Sequence, residues 1–529
     1  MTTHVSHRAH ARLRPVLALA AFAACTFAAS AAFASPLFEH TGGVMGTGGF
    51  NARFTQSGTS AAYFNPAMLT RSPNGISVGT FVMSEQVRVS LGSREGLGVE
   101  VPIYPDTLRW TYEDQRLPFD QLTFPTTRLN SGCPATDGNP CAPRPRQGAG
   151  TSSVTRAYAL IGLVNRILGP QLVVGFHAML PLGQYTTANS FFVDEREQFF
   201  SNSLHPEMYG DRLTAPSLGF GIGSEVIDGL SIGLSFTIAL LNSASAGVYV
   251  SDAGNQADSL LLATNVGVVA KVAPHLGITY DALDDLTLSF TAHSPSRFAI
   301  ETGFANLLAN GDEQIAVRET VHDYMPWLFA LGAEYGFDVG AYRLAVVGGA
   351  TLGLWSNYIN RMGERPLPGY EWSNTVSPTI GVRLDEGGWR IMGDLQYLPT
   401  PVPRQTGRTN YVDNNRLSGT IGGEYDFVLG GLALSLGASV QGHYLFRRSQ
   451  DKITPDTENV VSNPLSPNFG VGINPSLVRD ELPDSLGNAV RGDQTWLPAG
   501  GLQTNNPGYP GYASDGFLWG AGIHLSIYY

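Results

Sequence analysis

The sequence predicts an all-β protein: a transmembrane antiparallel β-barrel of about fourteen strands with an N-terminal hatch (plug) inside its lumen. Three observations predict it. Charged residues are only 14% of the 529, whereas Gly contributes 62 residues and aromatic side chains 10%; a soluble domain carries about 25% charge. Beyond the N-terminus no stretch supplies the ~18 consecutive apolar residues that a membrane helix needs, and mean hydropathy is near zero, at −0.02. The chain also ends on a long run of strictly alternating residues. Strands that face lipid on one side and a wet lumen on the other produce this combination. The rival class is a secreted β-sandwich or propeller.

Residues 1–34 read as a secretory signal peptide. Arg8, Arg12 and Arg14 precede an apolar run from Val16 to Phe33, and Ala32-Phe33-Ala34 is a small-x-small cleavage site. Cys25 lacks the upstream leucine of a lipoprotein site. Removing the signal takes 3 of 32 basic residues and none of the 44 acids, so net charge moves from −12 to −15. An acidic chain without a basic stripe argues against nucleic acid as a partner.

The final stretch, FLWGAGIHLSIYY, places Phe517, Trp519, Ala521, Ile523, Leu525, Ile527 and Tyr529 on one face. Gly520, Gly522, His524 and Ser526 lie on the other. The period is two and the length suits a tilted spanning strand. Ending on an aromatic residue resembles the assembly signal of bacterial outer-membrane barrels, which makes the barrel-assembly machinery an expected partner, beside outer-membrane lipids. Residues 389–397 repeat the pattern, with Trp389, Ile391, Leu395 and Tyr397 opposite Arg390 and Asp394. A charge such as Asp394 is tolerated because the lumen face is wet.

Taken in order, the strands expected are Ile76–Leu91, Ser152–Leu168, Leu172–Tyr185, Leu213–Val226, Leu230–Leu241, Asn265–Tyr280 and Leu286–Ile300, then 316–337, 341–357, 374–386, 388–398, 414–428, 432–447 and 517–529. Short turns at Ile227–Gly229, Asp281–Asp285, Asp385–Gly388 and Leu429–Gly431 alternate with loops at 93–147, 188–211, 243–262 and 448–514. Turns on the periplasmic side and long loops outside are the asymmetry of an outer-membrane barrel. The barrel proper is thus expected over 75–529, with long extracellular loops at 93–147 and 448–514. Cys133 and Cys141 flank a Pro/Gly/Asn-rich segment of an exported chain and are expected to form a local disulfide. Without a neighbouring His pair they make a poor zinc site, and neither a metal nor a cofactor is expected.

The hatch is assigned to 35–74. Gly42–Asn74 is rich in Gly, Ser and Thr and has no strand period. No Gly-Lys-Ser/Thr follows its glycines, so it is no phosphate cradle. Pro66 lacks an N–H and pushes Asn65 out of the helical region, which ends any regular element there.

Several stretches together resemble the FadL family of outer-membrane transporters for long-chain fatty acids and other hydrophobic compounds. They are Ser60–Leu69 (SAAYFNPAML), Leu180–Ala188 (LPLGQYTTA), Leu286–Pro295 (LTLSFTAHSP) and Met325–Tyr335 (MPWLFALGAEY). The resemblance implies a barrel of about fourteen strands plugged by the hatch. It also implies passive uptake of long-chain fatty acids or hydrophobic small molecules, with no catalysis. Cargo would enter an apolar pocket from outside and leave sideways through the wall.

Physical reasoning agrees: a greasy molecule in a wet lumen forfeits about 25 cal/mol per Å² of apolar burial, and a side exit avoids that loss. Asn65, Pro66 and Ala67 are then the expected gating element. Pro181, with Gly175 and Gly183 as bend points, is the expected wall gap, since Pro removes a ladder donor; the alternative is that Pro181 marks the outer end of its strand. For a carboxylate headgroup the lumen-side candidates are His293 and Arg297, and Phe191, Phe192, Phe199 and Phe200 are candidates for an outer apolar landing groove. A general or substrate-specific porin for small polar solutes is the alternative; it has no hatch. The scattered histidines fit no His–Ser signature of a barrel hydrolase.

Overall fold

In a computed structural model, residues 36–56, 58–92, 154–183, 205–206, 208–250, 260–307, 313–360, 363, 365–366, 371–406, 410–451 and 511–529 are described. Residues 1–34, Cys133, Cys141, Phe191, Phe192, Phe199 and Phe200 lie outside them, as do all of 93–147 and most of 448–514.

The N-terminal segment holds helices α1 (Pro36–Thr41) and α2 (Ala61–Phe64) and a 3-10 helix, Pro66–Arg71. Among the described residues eighteen strands follow: β1 (Gly75–Leu91), β2 (Val154–Arg166), β3 (Val173–Pro181), β4 (His205–Pro206), β5 (Ser217–Ile227), β6 (Leu230–Val250), β7 (Leu260–Leu283), β8 (Leu286–His293), β9 (Ser296–Leu307), β10 (Glu313–Met325), β11 (Leu328–Val339), β12 (Tyr342–Gly353), β13 (Thr375–Glu386), β14 (Trp389–Leu398), β15 (Tyr411–Val412), β16 (Arg416–Leu429), β17 (Leu432–Asp451) and β18 (Gly511–Tyr528).

Fourteen of them close into an antiparallel barrel in the order β1-β2-β3-β5-β6-β7-β8-β11-β12-β13-β14-β16-β17-β18, and β18 returns to β1. Closure removes sheet edges, which lipid does not tolerate. The short turns use residues that accept positive φ: Gly387-Gly388 (54° and 94°) and Gly430-Gly431 (61° and 85°) join tight hairpins.

Alternation sorts the side chains. Leu331, Ile421, Val440 and Ile523 stand 60–69% exposed on the outer face. Ser435, Ser439, Gln441 and His443 on β17 point inward and are buried. Tyr335, Tyr342, Trp389 and Tyr425 ring the short-turn end, while Tyr397, Tyr444, Phe446 and Phe517 ring the other. An apolar band between two aromatic girdles is the surface of an outer-membrane barrel.

Four expected elements differ. Leu286–Ile300 is not one strand, nor is 316–337. β8 stops at His293 before Pro295 and β11 starts after Pro326, because each proline withholds a ladder donor. Between them the hairpin β9–β10 leaves the wall, and β9 pairs in parallel with the far part of β6, from Ala246↔Phe304 to Tyr249↔Leu307. The stretch 243–262 is not all loop: β6 and β7 stay paired to Val250↔Leu260. The third expected strand ends at Pro181 rather than Tyr185.

Residues 36–56 and 58–72 lie inside the barrel. They meet inward-facing residues of β2, β3, β5 and β6 on one side and of β11–β14 and β16–β18 on the other, which only a segment in the lumen does. Leu37, Phe38, Tyr63, Phe64, Met68 and Leu69 are buried there.

Candidate functional site

The site begins at Asn65, between α2 and the 3-10 helix. Its amide donates to the Arg53 carbonyl (2.8 Å) and to Thr279 Oγ1 on β7 (3.2 Å), and its side-chain oxygen accepts from the Ala67 N–H (3.2 Å). Pro66 takes the first helical position, where its missing N–H is not needed. Two wall glycines make room for this turn. A Cβ on Gly277 would sit 2.2 Å from Asn65 Oδ1, and one on Gly233 2.2 Å from the Pro66 carbonyl carbon. They are cross-strand partners in the β6–β7 ladder.

Above this turn is an ion-paired network. The Arg53 guanidinium pairs with the Glu39 carboxylate, and Tyr63 Oη donates to the same carboxylate. His293, on the wall, lies 3.5 Å from Arg53 Nη2 and 3.3 Å from the Phe64 carbonyl oxygen through its two ring nitrogens. Its ring also packs on His275 with centroids 4.1 Å apart. Burial alone would raise the Glu39 pKa, but Arg53, His293 and Tyr63 outweigh it and hold the group down at about 2. Burial pushes His40 well below its ordinary range, with His443 and Arg416 adding to the effect.

A second network clasps the middle of the segment. Arg383 on β13 and Asp394 on β14 form a two-pronged pair (2.6 and 3.1 Å). Arg383 Nη2 also donates to the Gly48 carbonyl (2.7 Å), and Asp394 Oδ2 accepts from the Asn51 N–H (3.2 Å). Thr379 Oγ1 donates to Asn51 Oδ1 at 2.7 Å. At the short-turn end, His524 Nε2 lies 3.2 Å from the Gly46 N–H and 2.7 Å from Glu424 Oε1, which in turn sits beside Arg390.

Over these residues opens a cleft with about 830 Å³ of empty space, part of it continuous with solvent. It lies at the end of the barrel away from the short turns, where β11 and β16 begin and β12 and β14 end. Its floor is Pro36, Glu39, His40 and Arg53 of the N-terminal segment. One wall is apolar, from Met208, Met325, Leu328 and Trp355, and is backed by Tyr358 and Trp372 stacked 3.4 Å apart. The facing strands supply Thr351, Ser377 and Gln396. Asp413 and Arg416 complete the rim; burial raises the Asp413 pKa against the pull of Arg416. Met208 belongs to a stretch that turns inward before β5: Tyr158 Oη donates to the Leu213 carbonyl (3.0 Å), and Tyr209 Oη donates to Asn414 Oδ1 (3.0 Å).

The structure brings Asn65, Pro66, Ala67 and His293 together around Arg53. Arg297 stands near the start of β9 and is not among the residues lining the cleft. Gly175 faces inward against Leu69, where a Cβ would come within 2.4 Å of that side chain; Gly183 stands in open space beyond the strand. Pro181 is the last residue of β3. Among the described residues, β3 and β5 stay paired to Met179↔Ser217, whereas β1 and β18 continue to Leu91↔Tyr512.

Sequence reasoning missed Glu39, Arg53 and Arg383. Glu39 and Arg53 sit in a stretch with no period to mark them. Arg383 carried a usable signal, since it and Asp394 are opposite charges at inward positions of consecutive strands.

No family model matches the sequence, and no curated protein matches it. Among solved structures, the Pseudomonas putida toluene transporter TodX shares 10% identity, over 94% of this chain and 98% of that one, with a TM-score of 0.42. The Ralstonia pickettii toluene transporter TbuX shares 11% (94% and 98%; TM-score 0.40). The CymD monoaromatic hydrocarbon channel shares 11% (94% and 97%; TM-score 0.41). At such scores the likeness carries no weight for function, and the barrel rests on its own strand ladder. The chain is similar to these channels over nearly its whole length.

Proposed function

We propose that this chain is a passive outer-membrane channel for hydrophobic compounds, with residues 36–72 as a movable hatch. The observation that carries the reading is the make-up of the cleft. Its floor is the hatch itself, and Arg53 in that floor is bonded through its carbonyl to Asn65. A molecule seated against the apolar wall presses on Glu39 and Arg53. A shift there reaches Asn65-Pro66-Ala67 through one hydrogen bond and then the glycine panel at Gly233 and Gly277.

Release is sideways in this reading. Cargo leaves between Pro181 and Ser217, beyond the last described pairing of β3 with β5, and enters lipid without losing its apolar burial to water. Long-chain fatty acids and small hydrocarbons are both within the class.

Uptake of labelled toluene and labelled oleate, by cells carrying or lacking the protein, tests the reading. Faster uptake of at least one compound with the protein supports it. Equal uptake of both, with a barrel assembled in the membrane, would overturn it.

A further inference from the structure

The cleft has balanced charge and one uncharged polar wall. Of its cations, Arg53 is paired with Glu39, and Arg416 donates to His40 Nδ1 (2.8 Å) within the field of Asp413. A carboxylate brought into this cleft meets two acids as well as two cations, so it would give up its water for no net counter-charge.

The polar wall is different. On β13, Thr375, Ser377 and Thr379 form one inward column, while Val376 and Ile380 stand 55% and 58% exposed on the lipid side. Thr379 at the bottom of the column is engaged by Asn51 of the hatch. Higher up, Ser377 lies directly across from Thr351 on β12, and Gln396 reaches the cleft from β14. Among the described residues, Thr351, Ser377 and Gln396 line the cleft without a side-chain hydrogen bond of their own. Two hydroxyls and an amide offer both donors and acceptors and no charge.

We infer that the cleft prefers hydrophobic compounds whose polar group is uncharged and hydrogen-bonding, such as an alcohol, a phenol or a ketone, over carboxylates, and that Thr351, Ser377 and Gln396 set this preference. The inference rests on the uptake reading above and narrows its substrate class. The apolar part of such a ligand lies on Met325, Leu328 and Trp355, and its hydroxyl faces Ser377. A site built to hydrogen-bond a polar group rejects the analogue lacking it, because its own donors and acceptors are then left unpaired.

The test uses the full chain in nanodiscs with bromodecanol, bromodecanoate and bromodecane, and reads bromine quenching of Trp355, with Trp355→Phe as the background. Bromodecanol should bind about tenfold more tightly than either of the others, the worth of one or two neutral hydrogen bonds. Ser377→Ala with Gln396→Leu should bring it to within about twofold of bromodecane. If that variant does not assemble, judged by heat-modifiable electrophoretic mobility, Thr351→Val carries the same comparison. Bromodecanoate binding as tightly as bromodecanol would overturn the inference, as would bromodecane doing so, and either result leaves uptake of hydrophobic compounds standing. Quenching by none of the three would overturn it too, and would remove the cleft from the uptake reading even if cells still took up toluene.

Discussion

Arg383 and Asp394, on adjacent strands of the wall, grip each other by two hydrogen bonds and grip the N-terminal segment by two more, at the Gly48 carbonyl and the Asn51 N–H. Both side chains are buried. Removing one member of a buried pair leaves the other charge uncompensated, at about 3–5 kcal/mol. Asp394→Ala should therefore loosen residues 48–51 rather than the barrel. Hydrogen exchange there should rise by at least tenfold, while the strand amides of β17 and β18 keep their protection. Equal loss of protection in strands and segment would show that the pair holds the wall instead.

The panel at Gly277 gives a steric prediction. A Cβ there meets Asn65 Oδ1 at 2.2 Å and the Pro66 ring at 2.9 Å. Overpacking of this kind costs about 1–3 kcal/mol, and in the proposed function the hatch is the part that yields. Gly277→Val should give a barrel of normal heat-modifiable mobility with a raised, fluctuating conductance in planar bilayers. Unchanged conductance would mean that the turn tolerates the added group in place.

Glu39 should make the docking of the N-terminal segment sensitive to acid. Its carboxyl is held at about 2 in the folded state against an ordinary value of 4.5. A depressed pKa stabilises the docked form fully above the ordinary value, and that contribution is lost as pH falls from 4.5 towards 2. Proteolysis of the hatch with an acid-active protease should accelerate over this window in the native chain. In Glu39→Gln the acceleration should be much weaker, from a faster baseline.

Asn65 separates anchoring from shape. Asn65→Ala deletes the bonds to the Arg53 carbonyl, Thr279 and the Ala67 N–H, and leaving buried groups unpaired costs about 1–3 kcal/mol. Uptake should fall severalfold if the turn transmits the ligand's push. Amide exchange at Ala67 and Met68 should rise with it. Loss of uptake without any change in exchange would contradict the coupling.

Much of the barrel was legible because lipid imposes a period of two. Leu331, Val440 and Ile523 announce the outer face, Ser439 and His443 the inner one, and the paired glycines at 387–388 and 430–431 the turns. The β9–β10 arm was not legible, since alternation continues through it; only Pro295 and Pro326 mark where the chain leaves and rejoins the wall. The site was half legible. Asn65-Pro66 stands out through the backbone restriction of proline, and His293 through its phase on β8. Glu39 and Arg53 meet across an irregular stretch whose path follows the shape of the lumen, and no local rule sets that. Arg297 lies beyond Pro295, where β8 has ended and β9 has begun, so the alternation of β8 sets no phase for it.

The most direct measurement is to lock the hatch and ask for uptake. Asn51 and Thr379 touch through their side chains at 2.7 Å, so Asn51→Cys with Thr379→Cys, in a chain with Cys133 and Cys141 replaced by Ser, offers a reversible cross-link between hatch and wall. Oxidised, the variant should take up labelled hydrophobic compound no faster than cells lacking the protein, and reduction should restore the native rate. Native-rate uptake with the cross-link fully formed would contradict a moving hatch.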